Sequence, residues 1–251
     1  VIGGAISGVL ASRLGRRNSL RFAALLFFLS ALGSYYPEFL FFEYGKPSYS
    51  LLIAFNLYRI LGGIGVGLAS AVCPMYIAEI APANMRGRLV SWNQFAIIFG
   101  MLVVYFVNYL IRNNLPTADV MADAMAAIGW RRMFLSEAFP AALFGLMLFF
   151  VPKTPRYLVL SGHPNEALGI LERINGKKNA LSILEDINLT AVEKSEKIFA
   201  YGVGVIIIGI LLSVFQQAVG INVVLYYAPR IFENMGSTGN ASMIQTVVMG
   251  I

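Results

Sequence analysis

Charge is scarce in this chain. Lys, Arg, Asp and Glu make up 13% of its 251 residues, where a soluble domain carries about a quarter. Hydrophobic residues make up 58%. So little charge does not cover a water-facing surface, which excludes a soluble globular domain and leaves lipid facing much of the molecule. Cysteine is nearly absent as well. Cys73 stands alone in an apolar segment and allows no intrachain disulfide, so nothing suggests a stapled secreted scaffold. Histidine is equally rare. His163 lies beside Pro164 in a polar stretch, and one imidazole does not make a metal site. No metal and no cofactor are expected. No nucleophile, base and orienting group fall into a pattern for acyl or phosphoryl chemistry, so an enzyme is not expected either. A basic start with a short apolar core and a cleavage site is also missing, and no signal peptide is expected.

What is present is a series of apolar runs, at about 1–11, 20–41, 51–78, 89–111, 130–151, 200–229 and 241–251. Five are long enough to cross a bilayer as helices, which takes about 20 residues. The runs at the two ends are shorter and are expected to be cut spans of a longer chain. Segments apolar on every side do not alternate as barrel strands do, so the expected fold is all-α and polytopic.

Lys and Arg set the orientation. The polar segments 12–21, 80–88 and 152–197 hold four, two and seven basic residues. The alternate segments 37–50 and 112–132 hold one and three, and Arg230 follows the next span. The first set is therefore expected on the cytoplasmic side. The net charge of +6 follows from this bias at membrane boundaries and does not mark a nucleic-acid binder. Within the long polar segment, 165–174 has apolar residues at helical spacing, with Pro164 as start and Gly176 as stop. A second amphipathic piece is expected at about 180–197. Both read as surface helices, serving as a cytoplasmic cap or as a spacer.

Polar groups inside spans are costly and each needs a reason. Arg59 shares a helix face with Gly63, Gly67 and Ala71, so it is expected to point into the bundle at a carboxylate partner. The pair is either a fixed tie between helices or one gated by proton or substrate. Glu137, on a face continued by Ala141 and Gly145, is a candidate proton carrier, or else a neutral acid bonded to a neighbouring helix. The span 89–111 carries a polar stripe of Ser91, Gln94, Tyr105 and Asn108. Amides donate and accept hydrogen bonds, which suits sugar hydroxyls; the same groups also join helices. Gln216 and Gln217 point about 100° apart on a regular helix. Gly220 permits a break after them, and Pro229 discourages regular helix further on. Broken helices near the midplane commonly build transporter sites, so the cluster from Gln216 to Asn222, with Tyr226 and Tyr227 beyond it, is the strongest sign of a polar-substrate site. The glycines 62, 63, 65 and 67 lie inside a span with no preceding strand, which excludes a phosphate loop and leaves close helix packing.

These residues carry a family resemblance along essentially the whole chain. Gly8, Ser12, Arg13, Gly15, Arg16 and Arg17 resemble the loop signature of the major facilitator superfamily. Tyr58, Arg59, Gly62, Gly63, Gly65 and Gly67 resemble its sugar-porter signatures. So do Pro74 to Pro82 with Arg86 and Gly87, the triplet Gly129, Trp130 and Arg131, the run Pro152 to Arg156, and Gln216 to Asn222. The run Gln94 to Gly100 is especially similar to the branch that carries D-xylose with a proton.

The resemblance implies a fold of twelve helices in two halves around a central cavity, with this chain running from the second to the eighth. Residues 1–151 would be the first half without its first helix, 152–199 a cytoplasmic helical linker, and 200–251 the start of the second half. It implies proton-coupled uptake of D-xylose or a related aldose, by a multi-pass monomer in the plasma (inner) membrane with no nucleic-acid partner. A facilitative uniporter and a sugar sensor of the same fold are the alternatives. By position, Gln94, Gln216, Gln217 and Asn222 match the sugar-binding amides and Tyr226 an aromatic near the outer gate. Arg59 matches the arginine that pairs with a first-helix carboxylate, and Glu137 a second carboxylate of that region. Arg16, Glu79, Arg86 and Arg156 match a cytoplasmic charge network that latches the outward-open state. Two positions depart from the pattern: Ser12 where Asp is usual, and Lys153 where Glu is usual. The reversed charge at Lys153 implies a weaker cytoplasmic gate or a compensating acid in the second half.

Overall fold

The computed structural model describes residues 2–38, 49–115, 128–192, 203–237 and 239–249, and among them it is helical without strands. The first helices are α1 (Ile2–Arg13), α2 (Arg16–Tyr35), α3 (Tyr49–Ile80) and α4 (Arg86–Asn113). Then come α5 (Trp130–Ser136) and α6 (Ala138–Phe150). Three short helices, α7 (Pro155–Leu160), α8 (Pro164–Asn175) and α9 (Lys177–Val192), fill the expected linker. The chain closes with α10 (Val203–Ala218), α11 (Ile221–Asn234) and α12 (Gly239–Met249). Among the described residues, four segments are long and apolar enough to cross a membrane: 49–80, 86–113, 130–150 and 203–234.

α2 is the centre of the packed part, touching α1, α3, α5 and α6. Seven of its nine buried residues are Gly, Ala or Ser, and it is this smallness that lets neighbours close in. A side chain at Gly33 would run into the Tyr58 ring, and one at Gly67 would stand 2.6 Å from the Gly4 nitrogen where α1 crosses α3. Leu20, Ala24, Val72 and Leu148 knit α2, α3 and α6 into one cluster.

The linker docks through polar ties. Tyr76 donates its hydroxyl to the Pro152 carbonyl at 2.8 Å, and Tyr157 donates to Arg13 at 3.4 Å. Arg17 and Arg21 donate to the carbonyls of Val151 and Leu148 at the end of α6, groups that a helix C-terminus leaves without partners.

Four expectations are corrected. The run 20–41 ends as helix at Tyr35, because Pro37 follows closely and a residue before proline avoids helical backbone. The run 130–151 is interrupted at Glu137. Pro140 lacks the N–H that would bond the carbonyl of Ser136, so α6 starts afresh with Pro140 in its first turn. The second linker helix begins at Lys177, directly after Gly176 (φ 77), rather than at 180, and residues 193–197 lie outside the described part. Pro229 does not end its helix: α11 runs through it to Asn234. The break at Gly220 is present, with φ 73 and ψ 10, a left-handed conformation that glycine adopts at no cost.

Candidate functional site

Arg59 and Glu137 meet. Arg59 Nη1 donates to Glu137 Oε2 at 3.4 Å. The two side chains are 43% and 46% exposed and open on a cavity of about 550 Å³. Phe27 and Ser30 of α2, Gly62, Gly63 and Val66 of α3, and Pro140, Ala141 and Phe144 of α6 complete its wall. Each half of the pair is placed by local backbone. Arg59 lies one turn before Gly63 on the small face of α3, and Glu137 occupies the joint between α5 and α6. Among the described residues, the carboxylate that Arg59 meets is Glu137.

The pair is backed by aromatics. The Arg59 guanidinium lies 4.7 Å over the Phe134 ring, a favourable cation–π placement. Phe134 packs edge-on against Phe55 at 5.5 Å and Trp130 at 6.2 Å. Trp130 in turn carries the Arg131 guanidinium 4.5 Å over its ring. Arg131 forks onto both carboxylate oxygens of Glu38, one of them at 2.8 Å, and donates to the Tyr35 carbonyl at 3.0 Å. This second pair is closed off from solvent, Glu38 entirely. Sequence reading missed it. Glu38 sat at the edge of an apolar run, and nothing local links residues 93 positions apart. The only available signal was Pro37-Glu38 directly after a span.

At the end of the bundle next to the linker Arg16 donates twice to Glu79 Oε1, at 2.7 and 3.0 Å, and once to the Ala11 carbonyl at 3.1 Å. Arg86 and Arg156 line a cavity of about 650 Å³ together with Glu79 and Asp186, but neither pairs with a carboxylate among the described residues. Lys153 has its acid nearby: its Nζ is 3.9 Å from Glu166 Oε2 of α8.

The amides are spread over two helices. Gln94 is exposed on α4 beside the ring row Trp92, Phe95 and Phe99. Gln216 and Gln217 are exposed on α10. Gln217 borders a shallow groove with Ile206, Gly209, Ile210, Ser213 and Val214, in which Gln94 has no part. The Asn222 side chain lies outside the described residues. Tyr226 is 68% exposed on α11. Where α11 meets α4, Tyr105 donates its hydroxyl to the Leu225 carbonyl at 2.7 Å and Arg112 lies 3.6 Å from Glu233.

Among the described residues, several helical spans, a helical linker and an ion pair lining a cavity between the spans make a polytopic helical membrane protein, and its fold is that of the major facilitator superfamily. The chain belongs to the sugar transporter family: the family model described as "Sugar (and other) transporter" matches residues 1–251. It is 46% identical over 260 residues to the D-xylose-proton symporter of Escherichia coli, covering all of this chain and 52% of that protein. It is 36% identical over 255 residues to the glucose facilitated diffusion protein of Zymomonas mobilis, with the same coverage. The partially occluded inward-open structure of the E. coli xylose transporter XylE superposes with a TM-score of 0.85 at 45% identity, covering 99% of this chain and 55% of that one. The chain therefore spans about half the length of the relatives it matches.

Proposed function

We propose that the protein takes up a monosaccharide, D-xylose or a related aldose, together with a proton, by alternating access of two halves in the plasma (inner) membrane, where it acts as a monomer. Residues 1–151 are part of the first half, 152–199 the linker and 200–251 part of the second. The observation that carries this reading is the Arg59–Glu137 pair lining a cavity among spanning helices. A buried fork such as Arg131–Glu38 resists change, whereas one long contact between half-exposed groups is held weakly. Protonating Glu137 removes its charge, so Arg59 loses its ionic partner and the helices carrying the pair are free to shift. A proton is thereby converted into a change of conformation. Gln94, Gln216, Gln217 and Asn222 exchange hydrogen bonds with the sugar hydroxyls, and Tyr226 covers the outer side. Arg16, Glu79, Arg86 and Arg156 hold the cytoplasmic side shut while the outside is open. The partners are the sugar, the proton and the lipid bilayer.

Uptake of labelled xylose by the full-length protein in proteoliposomes, with and without an inward proton gradient, tests the reading. Accumulation should need the gradient and vanish in Gln217→Ala. A second reading, facilitated diffusion, draws on the 36%-identical Zymomonas protein of that name. Equilibration indifferent to the gradient would select it and leave Arg59 and Glu137 as a structural tie.

A further inference from the structure

Pro229 leaves a gap in its own helix. In an α-helix each carbonyl accepts from the N–H four residues on, and the residue four after Leu225 is Pro229, which has none. A carbonyl left bare at membrane depth is costly. Here the donor comes from another helix: Tyr105 of α4, 120 residues earlier, bonds Leu225 at 2.7 Å. Farther along the same seam Arg112 reaches Glu233 at 3.6 Å. The steps from Tyr105 to Arg112 and from Leu225 to Glu233 are each about two helical turns, so both contacts lie on one stripe. With the basic loops on the cytoplasmic side, α4 and α11 both run outward and the stripe lies in the outer half of the bilayer. Tyr105 also stands on the face of Gln94, about 16 Å farther out along α4.

We propose that Tyr105 is a positioning residue for transport, latching α11 over the outer end of the sugar path by bonding the Leu225 carbonyl that Pro229 sets free. This rests on the carrier reading of the chain. The latch belongs to the outward-closed arrangement and breaks when α11 swings away from α4. The proline gives the latch its worth: with a normal residue at 229 the helix would already supply Leu225 with a donor, and the Tyr105 hydroxyl would add only a second bond to a carbonyl that is no longer bare.

That dependence on the proline yields a test with two readouts that move differently. A reporter cysteine replaces Met101, one turn inward of Tyr105, in the full-length protein with its native cysteines changed to serine. Labelling by a membrane-impermeant maleimide from outside reports opening, and thermal unfolding reports stability. Tyr105→Phe should speed labelling about three- to tenfold, the worth of one net hydrogen bond, and lower the unfolding temperature by orphaning Leu225. Pro229→Ala should speed labelling by a smaller factor, because Leu225 now bonds within its own helix and loses less when Tyr105 lets go, without lowering the unfolding temperature. The double variant should label no faster than Tyr105→Phe alone and recover the stability lost in Tyr105→Phe. Unchanged labelling in Tyr105→Phe, or additive effects in the double variant, would overturn the latch. Neither readout requires flux, so a protein that moves no sugar yet shows this pattern refutes the carrier reading and keeps the latch.

Discussion

Two arginine–carboxylate pairs stand at the ends of one row of aromatic rings, and they are built in opposite ways. Arg131 and Glu38 are forked together, supported by the Tyr35 carbonyl and shut off from solvent. Arg59 and Glu137 share one 3.4 Å contact, each side chain a little under half exposed. The rings of Trp130, Phe55 and Phe134 connect them. The residue types are identical, so chemistry alone does not separate a staple from a switch. Burial and the number of bonds do. A forked, dry pair holds the end of α2 to α5 and so fixes the short helix that presents Phe134 and the Glu137 joint. A single wet contact is left free to respond.

The largest expected effect falls on the closed pair. Glu38→Ala leaves the Arg131 guanidinium buried without its carboxylate, which costs about 3–5 kcal/mol. Thermal unfolding in detergent should show a large drop, with a low yield of folded protein. Glu137→Gln should behave otherwise. Its pair is a single 3.4 Å contact, and Gln keeps an acceptor for Arg59, so the unfolding temperature should move far less while gradient-driven accumulation is lost. If Glu137→Gln unfolds the protein and Glu38→Ala does not, the contrast between staple and switch is wrong.

Between these lies Arg16–Glu79, two short bonds between side chains each 11% exposed. Arg16→Ala removes them together with the bond to Ala11, for an expected loss of about 1–3 kcal/mol. The same variant should shift the inward–outward balance, read as a changed ratio of cysteine labelling from the two sides. A stability loss with an unchanged ratio would reduce this pair to packing.

The same divide runs through what the sequence could tell. Local chemistry was legible. Pro164 and Gly176 bracket α8 as expected, and Gly220 breaks the helix between Gln217 and Tyr226. Arg59 and Glu137 were recognisable because a charge inside an apolar run has no other ready explanation. Anything that depends on a distant neighbour was not legible. Pro229 looked like a stop because the hydroxyl that relieves it sits on α4. Glu38 looked like a loop residue because Arg131 is far away in sequence. Apolarity was also a poor guide to what is inside. Within this chain α2 buries nine residues, mostly small ones, although it is far less apolar than α10. Lipid and protein accept the same hydrocarbon, so in a membrane it is small size that marks a packed face.

The smallest expected effect concerns the reversed charge at Lys153. Glu is usual at this position in the family signature, and from the sequence the change implied a weakened cytoplasmic gate or a compensating acid in the second half. Among the described residues the acid within reach is Glu166, on α8 of the linker, at 3.9 Å. Both side chains are well exposed, at 40% and 58%, and such a pair contributes about 0–1 kcal/mol and is screened by salt. Through this contact Lys153 ties the linker to itself, apart from the charges of Arg86 and Arg156 beside Glu79. Lys153→Glu should leave the labelling ratio unchanged and lower the unfolding temperature only slightly, from repulsion with Glu166. Lys153→Glu combined with Glu166→Lys should abolish even that. A clear change of the ratio in the single variant would return Lys153 to the gate and show that its partner is not Glu166.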